Sequence, residues 1–218
     1  MESFKEIKKT YSDSFKEHGD SIKTIFTPKG RNDLRYSYIK EYVDKNTYLD
    51  ILDYGCGLGY LCNYLSNNFK SFDYHGYDMV PEFIIKCKEK FKNSKNINFS
   101  LVSPDETVPK NFDIVFASGV FNITSSNDKK KSKDYVFLKL KELFDSSNIM
   151  LICDFPSKYV DFEQDDAQHF SISEITDFCV ENLSQKFIVR HDKFPYEFTL
   201  VAWKNGTIKR PENIFYGL

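Results

Sequence analysis

Residues 51–61 read Ile-Leu-Asp-Tyr-Gly-Cys-Gly-Leu-Gly-Tyr-Leu, an apolar run that passes directly into a turn with three glycines. Glycines permit a tight turn and a close approach of the backbone to a ligand, and the helix that follows presents free N–H groups. A dinucleotide fingerprint has the spacing G-x-G-x-x-G, but the last of those positions is Tyr60 here, and the spacing is G-x-G-x-G. The stretch therefore predicts a nucleotide-type site after a first strand, without the pyrophosphate site of an NAD enzyme.

On both sides of this stretch the chain alternates between strand and helix patterns. A helix is expected through residues 61–65, with further helices over 81–91 and about 133–144. The expected strands are 49–53, 72–78, 97–102, 112–117 and 149–154. This rhythm predicts a parallel sheet wrapped by helices.

The two ends of the chain depart from that rhythm. Helical spacing of apolar residues predicts two N-terminal helices, over residues 3–17 and about 32–43. Near the other end, residues 171–174 form a capping box that opens a helix to about residue 183. Two strand patterns, 187–191 and 196–203, follow with only four residues between them, so they must form an antiparallel hairpin. The predicted fold is thus α/β, with a mostly parallel seven-stranded sheet, an antiparallel C-terminal hairpin strand, helices on both faces and extra N-terminal helices.

Composition limits the classes of function. A chain of 218 residues suits one α/β domain, and its formal net charge of −2 gives no global basic field for nucleic acid. The five cysteines are odd in number and form no Cys-x-x-Cys pair, which favours reduced thiols. The charged N-terminus is unlike a signal peptide, and no apolar run approaches the ~20 residues of a membrane span. We therefore expect a cytoplasmic protein without a membrane partner.

Two further motifs lie at predicted strand ends. Asp78 closes the second strand nineteen residues after Gly59, the distance typical of a carboxylate that accepts both hydroxyls of a ribose. Met79 beside it is expected against an adenine face. The fourth strand ends in small residues, which places Ser118 next to the same ligand. A strand-end or capping acid is the alternative interpretation of Asp78 taken alone.

Residues 49–122 resemble the cofactor-binding half of class I S-adenosylmethionine methyltransferases. The matches, in order, are the glycine-rich motif at 53–59, the ribose acid Asp78 and the fourth-strand motif at 113–119. The resemblance implies a Rossmann-like methyltransferase fold, S-adenosylmethionine as cofactor and S-adenosylhomocysteine as product. It also implies an acid near the adenine after the third strand, a place that Asp105 fills with a small displacement. The cofactor residues expected on these grounds are Asp53, Gly55, Cys56, Gly57, Asp78, Met79, Asp105, Ser118 and Arg35.

A narrower resemblance rests on short matches over much of the chain. Tyr11, residues 17–19, Arg35, residues 118–122 and residues 196–200 are similar to small methyltransferases of bacterial surface-polysaccharide clusters. That resemblance implies a small-molecule acceptor, such as a hydroxyl of a sugar, of a nucleotide-sugar or of a capsule phosphoramidate precursor. The residues expected to contact this acceptor are Tyr11, Arg31 and Asn122. An arginine fork suits a carboxylate or a phosphate, although a salt bridge is an equal interpretation of Arg31 and Arg35.

A hydroxyl acceptor usually needs a general base, and histidine is the commonest one. We expect His18 and His169 as the catalytic candidates, with capping or packing as the alternative for each. His75 lies inside a strand and His191 ends one, which favours structural and surface roles. Acids at 161–166, with Asp154, could hold Mg²⁺, but exposed acids are more often solvated, and no metal is expected.

Two alternatives to small-molecule methylation stay open. An RNA or protein methyltransferase is one, yet the basic run 129–133 begins a helix, and residues 118–121 lack the prolines typical of enzymes that methylate base amines or glutamine amides. A non-catalytic protein that binds the cofactor is the other. We expect a single domain over 1–218, divided into an N-terminal cap (1–46), a cofactor-binding half (47–155) and an acceptor-side half with a tail (156–218). Monomer and homodimer are both compatible with the sequence.

Overall fold

The computed structural model describes residues 2–125 and 128–204. Its helices are α1 Glu2–His18, α2 Arg31–Tyr42, α3 Tyr60–Asn68, α4 Pro81–Lys90, α5 Lys129–Ser146 and α6 Ile172–Asn182. Its strands are β1 Leu49–Tyr54, β2 Phe72–Asp78, β3 Ile97–Leu101, β4 Phe112–Ala117, β5 Ser147–Pro156, β6 Phe187–Arg190 and β7 Glu197–Trp203. The tail beyond Lys204, expected as a loop, lies outside the described residues.

The strands form one sheet in the order β3-β2-β1-β4-β5-β7-β6. β7 is antiparallel to β5 and to β6, and the other pairs are parallel. The predicted sheet is confirmed, including the hairpin strand. The chain order reverses between β1 and β4, which are neighbours in the sheet. A crevice opens beyond the carboxyl ends of the strands at such a point, and ligands bind there in this type of sheet.

Helices cover both faces of the sheet because successive strand residues point to opposite sides. The face under α5 and α6 is packed by Leu52, Val115, Leu140, Phe155 and Ile175. The face under α2, α3 and α4 is packed by Ile51, Ile114, Ile39, Leu61 and Ile84. Adjacent residues of one strand, such as Ile51 and Leu52, thus serve different cores, so these strands read as continuous apolar runs.

Two of the boundaries that differ from the sequence prediction are explained by identifiable contacts. Helix α5 begins at Lys129, four residues before the expected start, because the Asp128 side chain accepts hydrogen bonds from the N–H groups of Lys130 and Lys131. Strand β5 continues to Pro156, two residues beyond the expected end, because it stays paired with β7 up to Glu197. This extension brings the end of β5 and the start of β7 to the edge of the crevice.

Helix α1 crosses above that crevice. Its Tyr11 and Phe15 rings pack edge-on against Phe83 of α4, and Phe4 packs edge-on against Tyr135 of α5. The helix therefore bridges elements on opposite sides of the sheet. Within the described ranges, no helix combines the length and the apolar character needed to cross a membrane.

Candidate active site

A cavity of about 980 Å³ lies at the carboxyl ends of the central strands. Its floor contains the glycine turn after β1, the end of β2 and the loop after β4, and residues of α1 and of segment 25–28 cover it. Ligand pockets usually measure about 300–1,000 Å³, so this one has the size for a cofactor and a small acceptor together.

The glycine turn is shaped for a close contact. Gly55 and Gly57 have φ of 79° and 53°, values that favour glycine, and the Gly55 N–H donates to the Tyr77 carbonyl at 2.7 Å. A Cβ atom on Gly55 would lie 2.5 Å from Cγ2 of Val120. Gly55, Cys56 and Gly57 line the cavity, and their contacts with the cofactor stay a prediction.

Asp78 holds this turn and faces the cavity. Its Oδ2 accepts from the Gly57 N–H and its Oδ1 from the Val80 N–H, both at 2.9 Å. A carboxylate has about four acceptor sites, so capacity for two ribose hydroxyls remains. Burial raises the pKa of Asp78 to about 6, and the backbone donors oppose that rise. Met79 lines the same part of the cavity.

Two acids predicted for the cofactor lie elsewhere. The Asp53 side chain is buried and accepts a 2.5 Å hydrogen bond from the Tyr74 hydroxyl, so it faces β2 and does not line the cavity. Burial raises its pKa to about 7, against the effect of that hydrogen bond. Asp105 is exposed in a turn where its N–H bonds to Ser103, and Val102 and Pro104 line the cavity in its place. The expected side-chain contacts of these two acids are therefore corrected.

The loop after β4 is fixed by a carboxylate at the end of β5. Ser118 Oγ donates to Asp154, and the Gly119 N–H donates to Asp154 Oδ1 at 2.7 Å. Burial raises the pKa of Asp154 to about 6, although the neighbouring Arg35 opposes the shift. Ser118 and Gly119 both line the cavity, so Asp154 sets the shape of the cavity wall from below.

Arg35 of α2 joins this group to the start of β7. Its Nε donates to Glu197 Oε1 at 2.7 Å, its Nη2 donates to Glu197 Oε2, and its Nε lies 3.6 Å from Asp154. Arg31 donates to the same carboxylate at 3.0 Å. Burial alone would lower the pKa of Arg35, but the two carboxylates outweigh it and raise that pKa.

This arrangement matches the salt-bridge interpretation of Arg35. Its guanidinium lines the cavity and is held by internal carboxylates through Nε and Nη2, and its contact with a cofactor carboxylate stays a prediction. Sequence reasoning missed Glu197 and used Asp154 only as a possible metal ligand. A signal was available for Glu197, because a buried carboxylate at the head of an apolar strand requires a cation.

His169 is the histidine that the structure places at the cavity. Its ring is 8% exposed, and Nδ1 lies 2.7 Å from the Ser157 carbonyl oxygen. A carbonyl only accepts, so Nδ1 carries the proton and Nε2 of the neutral ring is an acceptor. Among the described residues, no group is hydrogen-bonded to the buried Nε2.

His18 does not reach the cavity. It lies seven residues beyond Tyr11, roughly 10 Å further along α1, and its Nε2 is 3.7 Å from the Glu17 carboxylate. Tyr11 does line the cavity, and burial together with Asp78 raises the pKa of its phenol to about 12, so it stays neutral. His75 Nε2 lies 3.1 Å from the Asp50 carboxylate and does not line the cavity, and its structural role stays a prediction.

The remaining acceptor candidates lie at the β4–β5 side of the cavity. Asn122 and Arg31 both line it, and the buried Asn122 Oδ1 and Arg31 Nε have no hydrogen-bond partner in the described part of the chain. The Gln168 N–H donates to the Asn122 carbonyl at 3.0 Å, which joins this loop to His169. In the described ranges, no three His, Cys, Asp or Glu side chains are grouped as metal ligands.

The fold and this site define a Rossmann-like S-adenosylmethionine-dependent methyltransferase. Residues 45–201 match a family model described as a methyltransferase domain, and the chain belongs to that family. It is 27% identical over 157 residues to "Putative methyltransferase Rv1506c" of Mycobacterium tuberculosis, covering 71% of this chain and 92% of that protein. It is 30% identical over 80 residues to the malonyl-[acyl-carrier protein] O-methyltransferase of Acetivibrio thermocellus, covering 36% and 28% of the two chains.

Solved structures agree on the fold. Magnesium protoporphyrin IX methyltransferase from Synechocystis PCC 6803, with bound S-adenosylhomocysteine, superposes with a TM-score of 0.62 at 16% identity, over 88% of this chain and 97% of that one. The pyocyanin biosynthetic protein PhzM gives a TM-score of 0.63 at 13% identity, over 89% and 61%. The cofactor is S-adenosylmethionine, and the acceptor capacity that remains on Asp78 at the cavity fits the ribose of such a ligand.

Proposed function

We propose that the enzyme methylates a hydroxyl of a small molecule, with Nε2 of His169 as the general base. The observation that carries this proposal is the His169 ring, whose Nδ1 is held by Ser157 and whose buried Nε2 has no partner among the described residues. A neutral imidazole fixed in this tautomer is ready to take a proton at Nε2.

S-adenosylmethionine supplies a methyl group already activated on a sulfonium. As the acceptor oxygen bonds to the methyl carbon, the electrons of the carbon–sulfur bond go to sulfur and the hydroxyl proton goes to His169. The other residues contribute position. Asp78 and the glycine turn hold the ribose side, and the loop fixed by Asp154 forms the wall beside the methyl. Alignment and exclusion of water account for a large part of the rate in such a displacement.

The shape of the cavity supports a small acceptor. Tyr11 and Phe26 cover it from the N-terminal side, and Asn122 and Arg31 line its far end. We assign residues 1–46 as a cap, residues 47–155 as the cofactor-binding half and residues 156–218 as the acceptor-side half. The acceptor types that the narrower sequence resemblance implies are a sugar, a nucleotide-sugar and a capsule phosphoramidate precursor.

The test compares two histidine variants. His169→Gln is expected to lower kcat about 10²–10⁴-fold and to leave the affinity for S-adenosylhomocysteine nearly unchanged. His191→Gln is a matched control, because His191 also has a buried, unpartnered Nε2 within the described residues but does not line the cavity. The measurements are turnover with a panel of sugars, nucleotide-sugars and phosphoramidates, and calorimetry with S-adenosylhomocysteine.

Equal kcat losses in the two variants would remove His169 as the base. Turnover of RNA or of a protein in place of every small molecule would overturn the acceptor class. A protein that binds S-adenosylhomocysteine but methylates nothing in the panel or in those macromolecules would support the non-catalytic alternative.

A further inference from the structure

Two buried atoms that accept hydrogen bonds lie on the side of the cavity where the methyl acceptor would bind. His169 is more than nine-tenths buried, and its Nε2, like Oδ1 of Asn122, accepts and has no partner in the described ranges. Both residues line the cavity at the β4–β5 side, away from Asp78. Such atoms require donors from a ligand, because a buried acceptor without a donor is costly.

An acidic loop stands at the entrance to this part of the cavity. It comprises the exposed acids Asp161, Glu163, Asp165 and Asp166, and two of these, Asp161 and Asp166, line the cavity. Among the described residues, no cation forms an ion pair with any of the four. The Asp166 carbonyl accepts from the N–H and the hydroxyl of Thr124, which fixes the loop against the segment after β4.

The two arginines that line the cavity are already paired with carboxylates. Arg31 and Arg35 both donate to Glu197, and Arg35 also lies beside Asp154. The Arg31 guanidinium also stacks on the Phe194 ring, with 4.9 Å to its centroid. Among the fully buried atoms of the described residues, Arg31 Nε is the arginine N–H that has no hydrogen-bond partner. A phosphate would find several fixed negative charges here and little free positive charge.

We infer that the acceptor is an uncharged, hydroxyl-rich small molecule without a phosphate group. This inference rests on the proposed function and narrows its three acceptor types to the free sugar type. The hydroxyls supply the donors that His169 and Asn122 lack, and the acidic loop rejects phosphate-bearing relatives of the same compound. Specificity by repulsion of this kind needs no contact with the correct ligand.

The charge of the cavity can be measured without knowing the acceptor. A cysteine is introduced at one of two positions. Ile123→Cys places it in the cavity, because Ile123 lines the cavity and lies opposite Ala167. Leu138→Cys places it at an exposed position on α5 outside the cavity. Each variant is labelled at low ionic strength with a cationic and an anionic methanethiosulfonate of similar size. The ratio of the two labelling rates cancels differences in accessibility. The native cysteines are buried, but Cys56 lines the cavity, so labelling of the wild-type protein is measured in parallel and subtracted.

The cationic-to-anionic ratio is expected to be about fivefold or more higher in the Ile123→Cys variant than in the Leu138→Cys variant. Adding Asp161→Asn and Asp166→Asn should bring the two ratios together. A ratio at position 123 equal to or below that at position 138 overturns the inference.

A second measurement uses inorganic phosphate as the probe. With S-adenosylhomocysteine bound, millimolar phosphate should raise the melting temperature no more than chloride of equal ionic strength does. Stabilisation by phosphate that His169→Gln removes would show a phosphate subsite and overturn the inference. Neither outcome affects the proposed function, which depends on cofactor binding and on turnover by the wild-type enzyme.

Discussion

The cofactor side and the acceptor side of the cavity are built in different ways. On the cofactor side, the wall is formed mainly by backbone groups, and Asp78 accepts a hydrogen bond from Gly57, only 21 residues away. On the acceptor side, Arg35 reaches Glu197 across 162 residues, and buried charges fix the wall. The cofactor side can be predicted from a short motif, whereas the acceptor side is formed only when distant parts of the chain have joined the sheet. The same difference predicts how each side responds to mutation.

The largest effect is expected from breaking the acceptor side. Glu197→Ala leaves Arg35 and Arg31 without their shared carboxylate, and removal of one partner of a buried pair costs about 3–5 kcal/mol. Chemical denaturation measures the loss of unfolding free energy. The control is Glu41→Ala, because Glu41 also joins two cations, Arg190 and Lys193, but in solvent. Surface pairs contribute about 0.2–1 kcal/mol each, so equal losses in the two variants would contradict this account.

The next effect concerns the cofactor side. Asp78→Ala removes the two charge-assisted hydrogen bonds that we propose to the ribose, each worth about 1.5–3 kcal/mol, and should weaken S-adenosylhomocysteine binding about 100-fold or more. Calorimetry on the folded variant gives the dissociation constant. Asp73→Ala, at the start of the same strand, should leave the affinity unchanged. An unaltered affinity in the Asp78 variant would mean that this residue only caps the turn.

A ligand-induced shift tests whether the cofactor side is formed before the acceptor arrives. S-adenosylhomocysteine at about 100 times its dissociation constant adds roughly 2.7 kcal/mol of stability. For a chain of 218 residues, this raises the melting temperature by roughly 5–10 °C in differential scanning calorimetry. The shift should survive in the His169→Gln variant. If millimolar ligand gives no shift in either protein, the cavity assignment itself fails.

The smallest effect is a pH dependence of cofactor affinity. In the proposed cofactor site the ribose hydroxyls donate to the ionised Asp78, and burial raises the pKa of this carboxyl to about 6 in the free protein. Affinity should therefore be full above that pH and decline as the pH falls, by at most about tenfold, or 1.4 kcal/mol, per unit. Asp53 and Asp154 titrate in the same range, at about 7 and 6. Calorimetry between weakly acidic and neutral pH separates the contribution of Asp78 from those of Asp53 and Asp154. In the Asp78→Asn variant the cofactor affinity is expected not to change with pH.

Local patterns predicted the sheet, the hairpin and the cofactor turn, because each follows from residues close together in sequence. Asp53 shows the limit of that approach. Its motif position is right, yet the Tyr74 hydroxyl on the next strand turns its side chain away from the cavity. Nothing in the sequence favoured either His18 or His169 as the catalytic histidine. The path of α1 places His18 away from the cavity, and the segment that follows the long β5 strand places His169 at it. Glu197 needed a partner from α2, and no local pattern contains that pairing.

The Arg35–Glu197 pairing also has a consequence for biosynthesis. A ribosome adds about 5–20 residues per second, so the 162 residues between the two partners take about 10–30 s to synthesise. During that interval the nascent N-terminal cap carries two cations without their shared anion. Docking of β7 between β5 and β6 then supplies Glu197. The acceptor wall therefore cannot be completed before β7 has been synthesised, and a chain that terminates before β7 lacks it.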